Sequence, residues 1–130
     1  MNRPKAVLAE DHLLIQEAMR LELRREVEVV ATVQDGTAAL EAVARHQPDI
    51  LLLDVSLPKV NGITVAQQVK QSWPELKILF VSAQSDRAYV EQAFRSGANG
   101  YVLKGSISSE LRQAIREVLE GRSYRSPVLA

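Results

Sequence analysis

Strand-like runs followed by helix-like stretches recur roughly every 25 residues along this chain, the span of one unit of a parallel βα architecture. The first run is Ala6–Ala9, the third Ile50–Leu53, the fourth Ile78–Val81 and the fifth Tyr101–Leu103. These four are apolar throughout, as strands are when helices cover both faces of their sheet. The second run differs. Val27, Val29, Ala31 and Val33 alternate with Glu28, Val30 and Thr32, which suits an edge strand with one wetter face. Five such units joined by right-handed crossovers give an α/β fold, a doubly wound five-stranded parallel sheet in the order 2-1-3-4-5.

The segments between strands carry helix signals. Ile107, Leu111, Ala114, Ile115 and Val118 form one stripe at helical spacing. Asp35, Asn61, Ser85 and Ser106 are the expected N-caps, and Gly97 and Gly121 stand where helices should stop. Residues 1–121 are expected to form the domain. Residues 122–130 contain Pro127 and show no period, so they read as a fraying tail or the start of a linker.

At 130 residues the chain suits one domain with one proper core. Sixteen basic and sixteen acidic side chains cancel, which gives no electrostatic footprint for nucleic acid or an anionic membrane. Any DNA contact is expected from elsewhere. There is no cysteine, so disulfides, thiolate metal sites and thiol nucleophiles are excluded. Met1–Lys5 leads straight into a strand-like run without a long apolar stretch, so a soluble, cytoplasmic protein is expected.

In an open α/β sheet, ligands bind beyond the carboxyl ends of the strands, where the strand order reverses. Glu10 and Asp11 follow the first strand, Asp54 the third, Ser82 the fourth and Lys104 the fifth. The first and third strands are neighbours, about 4.8 Å apart, so the three carboxylates converge. The fourth strand brings the Ser82 hydroxyl alongside Asp54. The fifth lies two spacings away, roughly 10 Å, which the long Lys104 stem can largely bridge.

Two unit charges about 4 Å apart interact with about 4 kcal/mol at an effective dielectric near 20, and Lys104 alone cannot neutralise three carboxylates. Either one carboxylate holds a proton or a cation sits among them. An all-oxygen site with few protein ligands suits Mg²⁺, with Mn²⁺ able to substitute, and nothing in it selects Zn²⁺. Asp11 and Asp54 are the expected direct ligands, Glu10 acts through water, and the Ser56 backbone carbonyl completes the protein's share. A carboxylate flanked by a divalent cation, a lysine and a hydroxyl is set up to attack phosphorus. Singly, each residue has a plainer reading: Glu10 and Asp11 as helix-start charges, Asp54 as a turn residue, Ser82 as a cap, Lys104 as a solvated lysine, Tyr101 as core. The coincidence of acidic, acidic, hydroxyl and basic groups at the matching end of four strands carries the argument.

With those residues in place, the chain resembles the receiver domain of bacterial two-component response regulators, over residues 5 to 121. The motifs are Glu10-Asp11; Asp54-Val55-Ser56-Leu57-Pro58 followed by Gly62; Ser82-Ala83; and Tyr101-Val102-Leu103-Lys104. The resemblance implies a flavodoxin-like fold and a phosphorylation-activated switch. Asp54 would accept a phosphoryl group from the phosphohistidine of a sensor histidine kinase or from a small phosphodonor, and Glu10 and Asp11 would bind the metal. Lys104 would pair with the phosphoryl group, Ser82 would hydrogen-bond one of its oxygens, and Tyr101 would turn inward into the space Ser82 vacates. Homodimer formation on phosphorylation is expected.

Glu10-Asp11-His12, Gln34-Asp35-Gly36, Ser96-Gly97-Ala98-Asn99-Gly100-Tyr101 and the closing Gly121-to-Pro127 stretch are most similar to the subclass with a C-terminal LuxR/NarL-type helix-turn-helix output domain. That resemblance implies transcription regulation through a DNA-binding domain outside this chain, with a stand-alone phosphorelay receiver as the alternative. Two departures from the family's pattern stand out. Glu10 occupies a position where aspartate is commoner, and Gly105 follows the lysine where many relatives have proline. A cis bond at a non-proline residue costs about 2.5–4 kcal/mol, so none is assumed.

Such a domain assists its own phosphorylation and dephosphorylation without being a turnover enzyme. The enzymatic alternative, a Mg²⁺-dependent aspartyl-phosphate phosphohydrolase, commonly needs a second carboxylate two residues after the nucleophile, where this chain has Ser56. A flavin or nucleotide module would need a phosphate-binding loop after the first strand, where Glu10-Asp11-His12 would repel phosphate.

Overall fold

The apolar runs pair into a parallel sheet because each is too hydrophobic to leave either face in water. In the computed structural model, which describes residues 3–129, β1 (Lys5–Ala9), β2 (Glu28–Val33), β3 (Ile50–Leu53), β4 (Lys77–Ser82) and β5 (Gly100–Leu103) alternate with five helices. These are α1 (Leu13–Leu23), α2 (Gly36–His46), α3 (Gly62–Ser72), α4 (Arg87–Arg95) and α5 (Ile107–Leu119). The strand order is the expected 2-1-3-4-5 with one addition: β6 (Tyr124–Arg125) pairs parallel to β5. The sheet therefore has six strands, not five. The segment expected to fray supplies the sixth, and a 3-10 turn, Pro127–Leu129, follows it. Its hold comes from long-range partners: the Tyr124 and Ser126 hydroxyls both donate to Glu110 Oε1 on α5, at 2.9 and 2.7 Å.

Alternate strand residues feed two cores. Val7, Ala9, Leu51, Leu53, Ile78 and Phe80 face α2, α3 and α4. Ala6, Leu8, Ile50, Leu52, Leu79 and Val81 face α1 and α5, where the Leu111–Val118 stripe is buried as its spacing predicts. Burying one such aliphatic side chain contributes about 1.5–3 kcal/mol, so the central strands hold the sheet. As an edge strand, β2 keeps most of its residues only half-buried.

Helix ends follow local chemistry. Asp35 and Asn61 cap α2 and α3 as expected, accepting from Ala38 N (2.8 Å) and Thr64 N (3.0 Å). The α4 cap is Asp86, not the expected Ser85: its carboxylate accepts from Ala88 N at 2.8 Å. Ser106 precedes α5 but its side chain makes no capping hydrogen bond, because a 3-10 turn, Lys104–Ser106, already feeds into the helix. Gly97 ends α4 with φ of 109°, a conformation that favours glycine. No cis peptide bond occurs among the described residues, Lys104–Gly105 included.

Parallel register aligns the strand ends that matter. Ala9 and Phe80 both stand opposite Leu53, and Ser82 stands opposite Leu103. Glu10, Asp54, Ser82 and Lys104 thus emerge along one rim.

Candidate functional site

Asp54 is 3% exposed, at the first position after β3. Its amide donates to the Ala9 carbonyl at 3.2 Å, which ties it to β1, and its Oδ1 accepts from the Ser56 amide at 3.3 Å. The loop beyond it folds back tightly. Gly62 N donates to Val55 O at 2.8 Å, and a Cβ on Gly62 would lie 2.0 Å from the Asp54 carbonyl oxygen. Only glycine fits there, so the Asp54–Gly62 loop is fixed from both ends.

Glu10 is 1% exposed and leaves β1 beside Asp54. Its Oε2 accepts from the His12 amide at 3.0 Å, and the buried Gln16 side chain holds its backbone carbonyl. Lys104 Nζ reaches in from the end of β5 and bridges the two carboxylates, 2.9 Å from Asp54 Oδ2 and 2.9 Å from Glu10 Oε1. Burial pulls the Lys104 pKa down, but the hydrogen bonds it donates to Asp54 and then Glu10, with their charges, outweigh it and hold the ammonium above the usual lysine value.

Asp11 lies beside Glu10: the ligand atoms of Glu10, Asp11 and His12 lie within 4.8 Å of one another, a cluster that does not include Asp54. The His12 Nδ1 is 3.1 Å from Glu10 Oε2 and 3.3 Å from Asp11 Oδ1. Glu10 Oε1 and Asp11 Oδ1 are buried and accept no hydrogen bond among the described residues; Lys104 approaches Glu10 Oε1 as an ion pair only. Three carboxylates against one ammonium leave two formal negative charges at a rim with acceptor capacity to spare. The donor set therefore fits a hard divalent cation bound through oxygen.

One strand further on, Ser82 is fully buried, and its Oγ accepts from Gln84 N at 3.1 Å. Tyr101 is fully buried as well, its hydroxyl donating to the Gln84 carbonyl at 2.8 Å. Tyr101 therefore lies inside the fold with its hydroxyl on a backbone acceptor while Ser82 still holds Gln84 N. Burial raises the Tyr101 pKa; a Ser82 hydrogen bond opposes the rise and the Asp54 charge adds to it.

The rim accordingly joins Glu10, Asp54 and Lys104 directly, sets Asp11 beside Glu10, and links Ser82 to Tyr101 through Gln84. Ser56 touches Asp54 through its amide, while its side chain is exposed. Sequence reasoning gave His12 no role at the site and passed over Gln16 and Gln84. His12 and Gln16 carried a signal, since they lie two and six residues after Glu10; Gln84 acts through its backbone and carried none.

A family model described as the response regulator receiver domain matches residues 6–116. The chain belongs to the response regulator receiver domain family. The transcriptional regulatory protein DegU of Brevibacillus brevis is 36% identical over 97% of this chain and 54% of that protein. The oxygen regulatory protein NreC of Staphylococcus epidermidis is 38% identical over 92% of the chain and 56% of that protein. The chain spans about half the length of these curated relatives. Among solved structures, a LuxR-family two-component response regulator from Aurantimonas sp. SI85-9A1 superposes with a TM-score of 0.92 at 32% identity, covering 98% of this chain and 93% of that one. The signal receiver domain of the response regulator NarL from Mycobacterium tuberculosis gives 0.87 at 35% identity, covering 94% of this receiver and all of its counterpart. The receiver thus has the flavodoxin-like fold and keeps LuxR/NarL-type company. No helix among its described residues is long and apolar enough to cross a membrane.

Proposed function

We propose that this receiver is a phosphorylation-activated switch in which Asp54 accepts a phosphoryl group from the phosphohistidine of a sensor histidine kinase. The observation that carries the reading is the Lys104 ammonium held between Glu10 and Asp54, with Asp11 beside Glu10 still offering an unsatisfied acceptor. Asp11 and Asp54 would hold Mg²⁺ directly, helped by the Ser56 carbonyl, with Glu10 acting through water because its own oxygens already face Lys104 and the His12 amide.

An Asp54 carboxylate oxygen attacks phosphorus, the donor's P–N bond breaks, and the departing imidazole keeps the bonding pair and takes up a proton. Mg²⁺ held at this site would supply positive charge for the phosphoryl oxygens. Lys104 supplies the complementary positive charge from the chain itself, and the Ser82 hydroxyl can turn to donate to a phosphoryl oxygen. The buried rim keeps Asp54 weakly hydrated and fixed in place before the donor arrives. The signal passes to a DNA-binding output domain, and the setting is the cytoplasm.

Incubation with acetyl phosphate and Mg²⁺ should add one phosphoryl group, read by intact mass. Asp54→Asn should abolish the addition, and unchanged labelling in that variant would move the acceptor elsewhere.

A further inference from the structure

Residues Tyr124–Leu129 form a strap with an anchor on each of three elements. Along β5 and the residue before it, Tyr124 N donates to Asn99 O (3.1 Å), Ser126 N to Tyr101 O (3.0 Å), and Leu103 N donates to Ser126 Oγ (3.1 Å). On α5, Glu110 takes both the Tyr124 and the Ser126 hydroxyls. On α4, the Arg125 guanidinium stacks 4.6 Å from the Phe94 ring and lies 3.7 Å from Glu91 Oε1. Ser126 is completely buried, so its hydroxyl bonds are sheltered from water.

We propose that this strap is the switch's own readout element, a clamp across α4, β5 and α5 that phosphorylation of Asp54 loosens. The inference rests on the acceptor reading given above. Arg125 and Ser126 are consecutive residues, the first contacting α4 through its side chain and the second held to β5 and α5, so movement of α4 against β5 falls on the Arg125 contacts. The site reaches both attachments. Leu103, whose amide bonds Ser126, directly precedes Lys104. Gln84, whose carbonyl holds the Tyr101 hydroxyl and whose amide bonds Ser82, lies in the short loop leading into α4. When the Ser82 hydroxyl turns toward a phosphoryl oxygen, Gln84 N loses its acceptor geometry and the loop into α4 must rearrange. A shifted α4 strains the part-exposed Arg125 contacts to Phe94 and Glu91 before the buried bonds of Ser126. One anchor gives way, because packed contacts of this kind switch between discrete arrangements and do not stretch. Linkage makes the coupling reciprocal: a strap already loosened favours the phosphorylated arrangement.

The test uses the whole 130-residue chain. Hydrogen–deuterium exchange of the 122–129 peptide is followed with intact mass, before and after acetyl phosphate with Mg²⁺. Uptake should rise on labelling in the natural sequence and stay unchanged in Asp54→Asn. Arg125→Ala, a half-exposed position outside the site, should raise uptake without label. It should also bind the phosphoryl mimic beryllofluoride more tightly, by about 5-fold or more, the lower end of usual coupling. Full labelling with unchanged strap exchange would overturn the clamp and leave the acceptor reading standing. Absent labelling would overturn both. Equal beryllofluoride affinity in Arg125→Ala would overturn the coupling.

Discussion

Lys104 holds together two carboxylates that would otherwise repel each other in a nearly dry rim, Glu10 at 1% and Asp54 at 3% exposure. Its position explains both the stability of the resting site and its readiness for an anionic group. Removing one partner from a buried pair costs about 3–5 kcal/mol, against about 0–1 kcal/mol for an exposed one. Lys104→Met should therefore lower unfolding free energy in urea by about 3 kcal/mol at neutral pH. Adding Asp54→Asn to it should recover part of that loss, because one of the two orphaned carboxylates is neutralised and no longer repels Glu10. A cost within the exposed-pair range, or no recovery in the double variant, would contradict a buried bridge. The role of Lys104 was legible at the strand end, but its sharing between Glu10 and Asp54 was not: reach and rotamer decide that, and the sequence shows neither.

At the scale of elements, the sixth strand ties the carboxyl end of the sheet to α5 through two hydroxyls on one carboxylate. Burial, the hydrogen bond to Glu110 and the nearby Glu110 and Glu117 charges push the Tyr124 pKa from 10.0 up to about 12. A raised value means the fold holds that proton more tightly than the unfolded chain does. Tyr124 therefore contributes stability that is complete below pH 10 and is lost as pH rises from 10 toward about 12. Lys104, also raised, acts in the same alkaline sense. Urea midpoints should fall steadily across that range, and Tyr124→Phe should fall less steeply; identical slopes would remove Tyr124 from the alkaline limb.

The core strands were legible because unbroken apolar runs of this length have few other homes, and the Asp35 and Asn61 caps because a short polar side chain precedes each helix. The sixth strand was not. Two residues carry no period, and their partners Glu110, Tyr101 and Asn99 lie far away in sequence. The displacement of the α4 cap from Ser85 to Asp86 turned on a single residue, which local pattern cannot resolve.

For the molecule as a whole, charge is balanced and the exposed apolar surface gathers on α1, where Leu13, Leu14 and Leu21 are 63%, 84% and 65% exposed. Such surface on a charge-neutral chain favours association. Sedimentation at several concentrations should shift toward a dimer on adding beryllofluoride with Mg²⁺. Profiles that match with and without the mimic would count against phosphorylation-driven self-association. The sheet order places four chemically distinct residues on one rim, and that placement was legible from the order alone; which pairs touch was decided by packing.

The most direct measurement is chemical trapping of the acceptor. An aspartyl phosphate is reduced by borohydride to homoserine, and tandem mass spectrometry of the protein treated with acetyl phosphate, Mg²⁺ and borohydride locates that conversion. The account predicts homoserine at position 54 alone, and none when Mg²⁺ is replaced by excess chelator. Conversion at Asp11, or label that survives with Asp54 unmodified, would contradict it.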